Sequence, residues 1–150
     1  EKYKTCELLE IKEKKKRKTF TILLDLIFKK RKSKLAEYNV DLDQYDNVIL
    51  IGPIWMGKVC KPLLTFALNE KDNIKSFSYM SVCGGGNRDI LLEDNFTLET
   101  QITPKKVLQL AIMPLIPAEL QKDLKYLMSY KIKDEDLLSY AQEIEKFING

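Results

Sequence analysis

The sequence predicts an α/β domain built on an open parallel sheet with helices on both faces. Two features predict it. Short unbroken apolar runs alternate with segments of helical periodicity, the arrangement of parallel strands joined by crossover helices. The two clearest runs stop at marked backbone breaks, Gly52-Pro53 and Cys83-Gly84-Gly85-Gly86-Asn87. The chain has 150 residues, enough for one domain with a real core, taken as residues 1–150. No internal repeat or low-complexity linker divides it.

From the start of the chain, Tyr3 to Ile11 suits a strand through Cys6, Leu8 or Leu9, and Ile11. Lys14 to Lys34 reads as a helical or irregular segment with an apolar centre. Asp41 to Asp46 is an acidic turn region leading into Val48-Ile49-Leu50-Ile51. That run is continuously apolar with β-branched residues, as in a strand buried on both faces of a parallel sheet. Gly52-Pro53 ends it. Pro62 opens an amphipathic helix through Leu63, Leu64, Phe66, Ala67 and Leu68, because a proline in the first turn lacks only an N–H that has no intrahelical partner there.

Asp72-Asn73 is a turn, and Phe77 to Val82 is the next strand, with Phe77, Tyr79 and Met80 as packing residues. The glycine run from Cys83 to Asn87 breaks it, and Arg88 to Leu98 follows as a helix. After Thr103-Pro104, Val107 to Ile112 is the last strand, ended by Pro114 and Pro117. Asp134 caps a terminal helix that runs to about Ile148, with Gly150 beyond its end.

Composition bounds the chemistry. Apolar residues make up 45% and charged residues 31%, which fits a globular domain and not a disordered one. A net charge of +3 is too weak to imply nucleic acid. The runs Lys14 to Lys18 and Lys29 to Lys34 read as solvated surface; the sharper alternative is a docking patch for an acidic partner or an anionic phosphate. Cys6, Cys60 and Cys83 are odd in number and widely spaced, so neither a disulfide framework nor a zinc site is expected. Reduced thiols and a cytoplasmic location are the expectation. The absence of histidine removes His-based triads, most zinc catalysis and the usual general base. The polar, charged N-terminus carries no secretory signal. Phe20 to Phe28 contains Asp25 and falls short of the ~20 residues needed to span a bilayer, so stable membrane insertion is not expected. A membrane-surface helix there is the alternative to an ordinary amphipathic segment.

In open parallel sheets, ligands bind beyond the carboxyl ends of the strands. Both glycine-marked breaks fall there. The first, Pro53-Ile54-Trp55-Met56-Gly57, combines backbone freedom with a large aromatic. A planar ligand could stack on Trp55 while the Met56 and Gly57 amides donate to ring heteroatoms; alternatively, Trp55 packs on a neighbouring helix. The second, Cys83-Gly84-Gly85-Gly86-Asn87, would let the backbone approach a flat ligand closely, or would simply be a flexible turn. Cys83 and Cys60 read as small packing residues, with redox activity beside a ligand as the alternative. No side chain is assigned a catalytic role, and no metal site is expected.

Tyr45-Asp46-Asn47-Val48-Ile49-Leu50-Ile51-Gly52-Pro53-Ile54-Trp55-Met56-Gly57, followed by Pro62 and Thr65-Phe66, resembles the central stretch of the flavodoxins and flavodoxin-like FMN proteins. The turn from Cys83 to Asn87 is similar to that family's second flavin loop. The likeness runs from about Glu7 to Asn87 and is loose after Asp89. The resemblance implies an FMN site. The first loop would contact the flavin ring through Pro53, Ile54, Trp55, Met56 and Gly57, and the second through Cys83, Gly84, Gly85, Gly86 and Asn87. A stacked aromatic disfavours charge on the reduced ring and amide donors favour it, and their balance sets the flavin potential.

The resemblance has a gap. The family's first strand and its phosphate loop, with a Thr-Gly-x-Thr core, have no counterpart; Thr19-Phe20-Thr21 and Thr97 to Thr103 contain no Thr-Gly. The expected fold is therefore a flavodoxin-like open sheet lacking the first strand and phosphate loop. In the family's strand order, 2-1-3-4-5, Tyr3 to Ile11 stands as the second strand without its neighbour. The chain is a piece of a longer protein, or the strand comes from elsewhere, or the second strand pairs directly with the third and FMN is lost. The implied function is FMN-dependent electron transfer or flavin-dependent redox chemistry, with a redox partner protein or a nicotinamide nucleotide. A flavin-free flavodoxin-like scaffold or binding module is the alternative. A homodimer stays open.

Overall fold

The computed structural model describes residues 6–15, 32–55, 57–84 and 89–150. Five strands and five α-helices occur among them. Strand β1 is Val48–Ile51, followed by the short strands β2 (Ile54–Trp55) and β3 (Lys58–Val59) and by helix α1 (Lys61–Asn69). Strand β4 (Phe77–Cys83), helix α2 (Asp89–Thr100) and strand β5 (Val107–Ala111) come next. The chain then forms α3 (Leu124–Ser129), α4 (Asp134–Leu138) and α5 (Ala141–Asn149).

The main sheet has the order β1-β4-β5, and both pairs are parallel. Val48 lies opposite Phe77 and Ile51 opposite Met80. Tyr79 lies opposite Val107 and Cys83 opposite Ala111. Parallel neighbours need crossovers. Helix α1 lies in the chain between β1 and β4, and α2 between β4 and β5.

Alternation along β4 sends its residues to two separate cores. Phe77 and Tyr79 join Leu50, Leu63, Leu64, Phe66, Leu92 and Phe96, so α1 and α2 cover one face. The Phe96 ring meets Phe77 and Tyr79 edge-on at centroid distances of 5.2 and 5.0 Å. Met80 joins Leu110 and Phe147, with Ile144 and Tyr140 beside them, so the terminal helix covers the other face. The molecule is thus mixed α/β with a parallel three-stranded sheet between helical layers.

Helix α1 begins at Lys61, with Pro62 in its first turn; it buries Leu63, Leu64, Phe66 and Ala67 as expected, but Thr65 is buried between them and Leu68 is only half-buried. Several other boundaries differ from expectation. Residues 6–11 form no strand; Leu9 and Ile11 pack against the core while Leu8 is 90% exposed. The alternation is β-like, but a strand needs a ladder partner, and among the described residues β1 pairs with β4 alone. Direct pairing of residues 6–11 with β1 is therefore not the arrangement. A single antiparallel bridge, Glu13 to Leu35, is what this region contributes. The helical or irregular segment expected from Lys14 to Lys34 falls mostly outside the described residues.

The terminal helix is two helices. Tyr140, at φ −109° and ψ 11°, interrupts it, and its hydroxyl donates to the Ala111 carbonyl at the end of β5. Asp134 does not cap α4. Lys133 is the cap residue, and its N–H donates to Asp136 Oδ2 at 2.8 Å. Strand β4 runs on through Cys83, because the Cys83 carbonyl accepts from Ile112 N at 2.8 Å and so extends the ladder with the segment after β5.

Candidate functional site

The carboxyl ends of β1 and β4 are neighbours. Gly52 N donates to the Met80 carbonyl at 3.1 Å, so the first turn leaves the sheet beside the middle of β4. Strand β4 continues to Cys83, where the second turn leaves at the same edge. The carboxyl edge of the sheet therefore carries Gly52-Pro53 and the strands β2 and β3 on one side and Cys83-Gly84 on the other.

The first turn is not the open loop expected. Ile54–Trp55 and Lys58–Val59 form an antiparallel ribbon, with Ile54 opposite Val59 and Trp55 opposite Lys58. The local sequence explains this: Ile54, Trp55 and Val59 are good strand formers, and Gly57 supplies the reversal at φ 76°, a conformation that costs other L-residues roughly 1–2 kcal/mol. The ribbon is anchored from above by helix α2, where Asn95 Oδ1 accepts from Val59 N at 2.9 Å. It is anchored from below by Tyr79, whose hydroxyl donates to the Gly52 carbonyl at 3.0 Å and reaches the Pro53 carbonyl at 3.5 Å.

Among the predicted contacts, Pro53 is exposed, while Ile54 and Trp55 are half-buried and pack against the main core. Gly57 sits at the reversal. Cys83 is half-buried at the end of β4 and Gly84 is exposed. A Cβ added at Gly84 would meet no atom of the described residues within 4 Å, so there is open space beside that backbone among them. Gly52 is the opposite case, with Leu63 Cδ1 only 2.4 Å from where its Cβ would stand. Met56, Gly85, Gly86 and Asn87 lie outside the described residues.

Cys60 is buried at the N-cap of α1, and its Sγ lies 3.3 Å from the Cβ position of Gly52. Burial, with the Cys60 thiol nearby, raises the Tyr79 hydroxyl far above its ordinary range and keeps it a donor. The Ser81 hydroxyl pulls the other way but falls short of a formed hydrogen bond. Ser81 Oγ is fully buried and without a partner among the described residues.

Sequence reading treated Tyr79 as packing and passed over Ser81 and Asn95. The signal was present. A tyrosine or serine inside a buried strand carries a polar atom that must find a partner or go without.

A second concavity, of about 270 Å³, lies between α1 and α2, lined by Lys61, Leu64, Thr65, Leu98 and Glu99, with Lys32 beside them. Lys61 Nζ and Glu99 Oε2 are 3.5 Å apart across it. None of these residues belongs to the strand-end turns. Among the described residues no cluster of His, Cys, Asp or Glu could hold a metal ion, and no helix is long and apolar enough to cross a membrane.

Fold and site together define an α/β domain with paired turns at the carboxyl edge of a parallel sheet. Compared with known proteins, the chain matches no family model, no curated protein and no solved structure.

Proposed function

We propose that the chain is a flavodoxin-like FMN-binding domain, serving electron transfer or flavin-dependent redox chemistry in the cytoplasm. One observation carries the reading: two turns leave adjacent parallel strands at one sheet edge, the first bearing Trp55 and the second open beside Gly84. The flavin ring would lie between them. Pro53, Ile54, Trp55, Met56 and Gly57 would line one side, and Cys83, Gly84, Gly85, Gly86 and Asn87 the other. FMN, when bound, supplies the electron or hydride transfer. The chain's own work is to hold the ring, exclude water with Trp55 and Ile54, and offer backbone N–H groups. The electron partner would be a redox protein or a nicotinamide nucleotide.

Purified protein that is yellow and releases FMN on denaturation supports the reading. Trp55→Ala should weaken FMN binding roughly fivefold, the equivalent of an aromatic stacking contribution on the order of 1 kcal/mol. Unchanged affinity and unchanged potential would count against the assigned site.

A second reading is a flavin-free binding module on the same scaffold. It is favoured by the lack of a Thr-Gly-x-Thr segment anywhere in the 150 residues, since lysines such as Lys58 provide charge but no pre-shaped phosphate cradle. A colourless preparation that takes up no added FMN supports that reading.

A further inference from the structure

We infer that Tyr79 is a positioning residue for the first turn: its hydroxyl is the strut that sets the Trp55 ribbon against the sheet. Tyr79 is fully buried in the centre of β4, where a phenylalanine would satisfy packing equally well. Its hydroxyl lies 3.0 Å from the Gly52 carbonyl and 3.5 Å from the Pro53 carbonyl. These are the two residues that open the turn.

The consequence for the turn is geometric. A trans peptide sets its C=O and N–H on opposite sides. Drawing the Pro53 carbonyl down toward Tyr79 turns the Ile54 N–H the other way, away from the core. Pro53 has no N–H of its own, so Ile54 carries the first amide donor after Gly52. Tyr79 thereby orients that donor and the strand that leads to Trp55. Asn95 holds the returning strand at Val59, so the ribbon is held at both of its roots.

The strut stands whether or not a flavin binds; only its effect on ligand affinity rests on the flavin reading. The test is Tyr79→Phe, which keeps the ring and removes the hydroxyl. Trp55 is the sole tryptophan, so its fluorescence reports the ribbon directly. Losing one buried hydrogen bond should raise the detached population of the turn about fivefold, seen as greater acrylamide quenching and a red-shifted emission of Trp55 well below the melting temperature. A merely structural role would lower the melting temperature and leave folded-state quenching unchanged, which would overturn the proposal.

If the variant fails to fold, the wild-type chain decides. A slowly exchanging Tyr79 hydroxyl proton with a nuclear Overhauser contact to Gly52 supports the strut, and a fast-exchanging hydroxyl overturns it. Added FMN separates the two claims. If wild type binds it, Tyr79→Phe should bind about fivefold more weakly, and equal affinity would remove the strut's role in the ligand site. If wild type binds none, the flavin reading fails while Trp55 quenching still decides the strut.

Discussion

A Cβ at Gly52 would stand 2.4 Å from Leu63 Cδ1 and 3.3 Å from Cys60 Sγ, whereas one at Gly84 would stand in open space among the described residues. The two glycines thus answer to different demands. Gly52 lets the end of β1 approach the start of α1, so Gly52→Ala overpacks that junction and should lower stability by about 1–3 kcal/mol, read from the urea midpoint. Gly84→Ala should leave stability within about 0.5 kcal/mol of wild type. The same added methyl occupies the space assigned to a flavin, so FMN affinity should fall about tenfold or more. A Gly84→Ala protein that binds FMN as well as wild type would move the ring away from that turn. The residue types at 52 and 84 were legible as breaks in the sequence, but which of them is crowded was not. Crowding at Gly52 depends on Leu63 and Cys60 returning to it through the helix, a contact no local pattern encodes.

At the scale of elements, the strand and helix centres followed from periodicity, and the errors sit where tertiary contacts decide. Val48 to Ile51, the Pro62 helix, the Phe77 strand and the Val107 strand were all legible as apolar runs between turn residues. The ribbon at 54–59 was hidden because two residues per strand are too few to show alternation. It holds through Asn95 and Tyr79, which belong to other elements. Asn95→Ala would leave the buried Val59 N–H without its acceptor and should cost about 1–3 kcal/mol, with increased amide exchange confined to the ribbon as the check. The split terminal helix was equally hidden, since its break depends on Tyr140 reaching Ala111.

Helix α4 carries a pH dependence of its own. The Lys133 N–H, and then the Tyr130 hydroxyl at 2.8 Å, hold the Asp136 carboxyl below its ordinary range. The same contact pushes Tyr130 up to about 12. A carboxyl lowered in the folded state contributes stability above its unfolded value, and that contribution is lost as pH falls through the folded value. Asp136→Asn should therefore lower stability near neutral pH and converge with wild type as pH falls, flattening the acid limb of the profile, measured by thermal melts from neutral to acid pH.

For the whole molecule, the parallel sheet with helices on both faces was legible because alternating strand and helix patterns admit few other solutions. The strand expected at Tyr3 to Ile11 was not found in residues 6–11, because alternation alone does not supply a neighbouring edge. The pairing of the two turns at one edge is what the functional reading depends on. It is tested most directly by titrating FMN into the isotopically labelled protein and following backbone amide shifts. The account predicts saturable shifts concentrated at Ile54, Trp55, Gly57, Cys83 and Gly84. No shifts at all, or shifts gathered instead around Lys61, Thr65 and Glu99 in the concavity between α1 and α2, would contradict it.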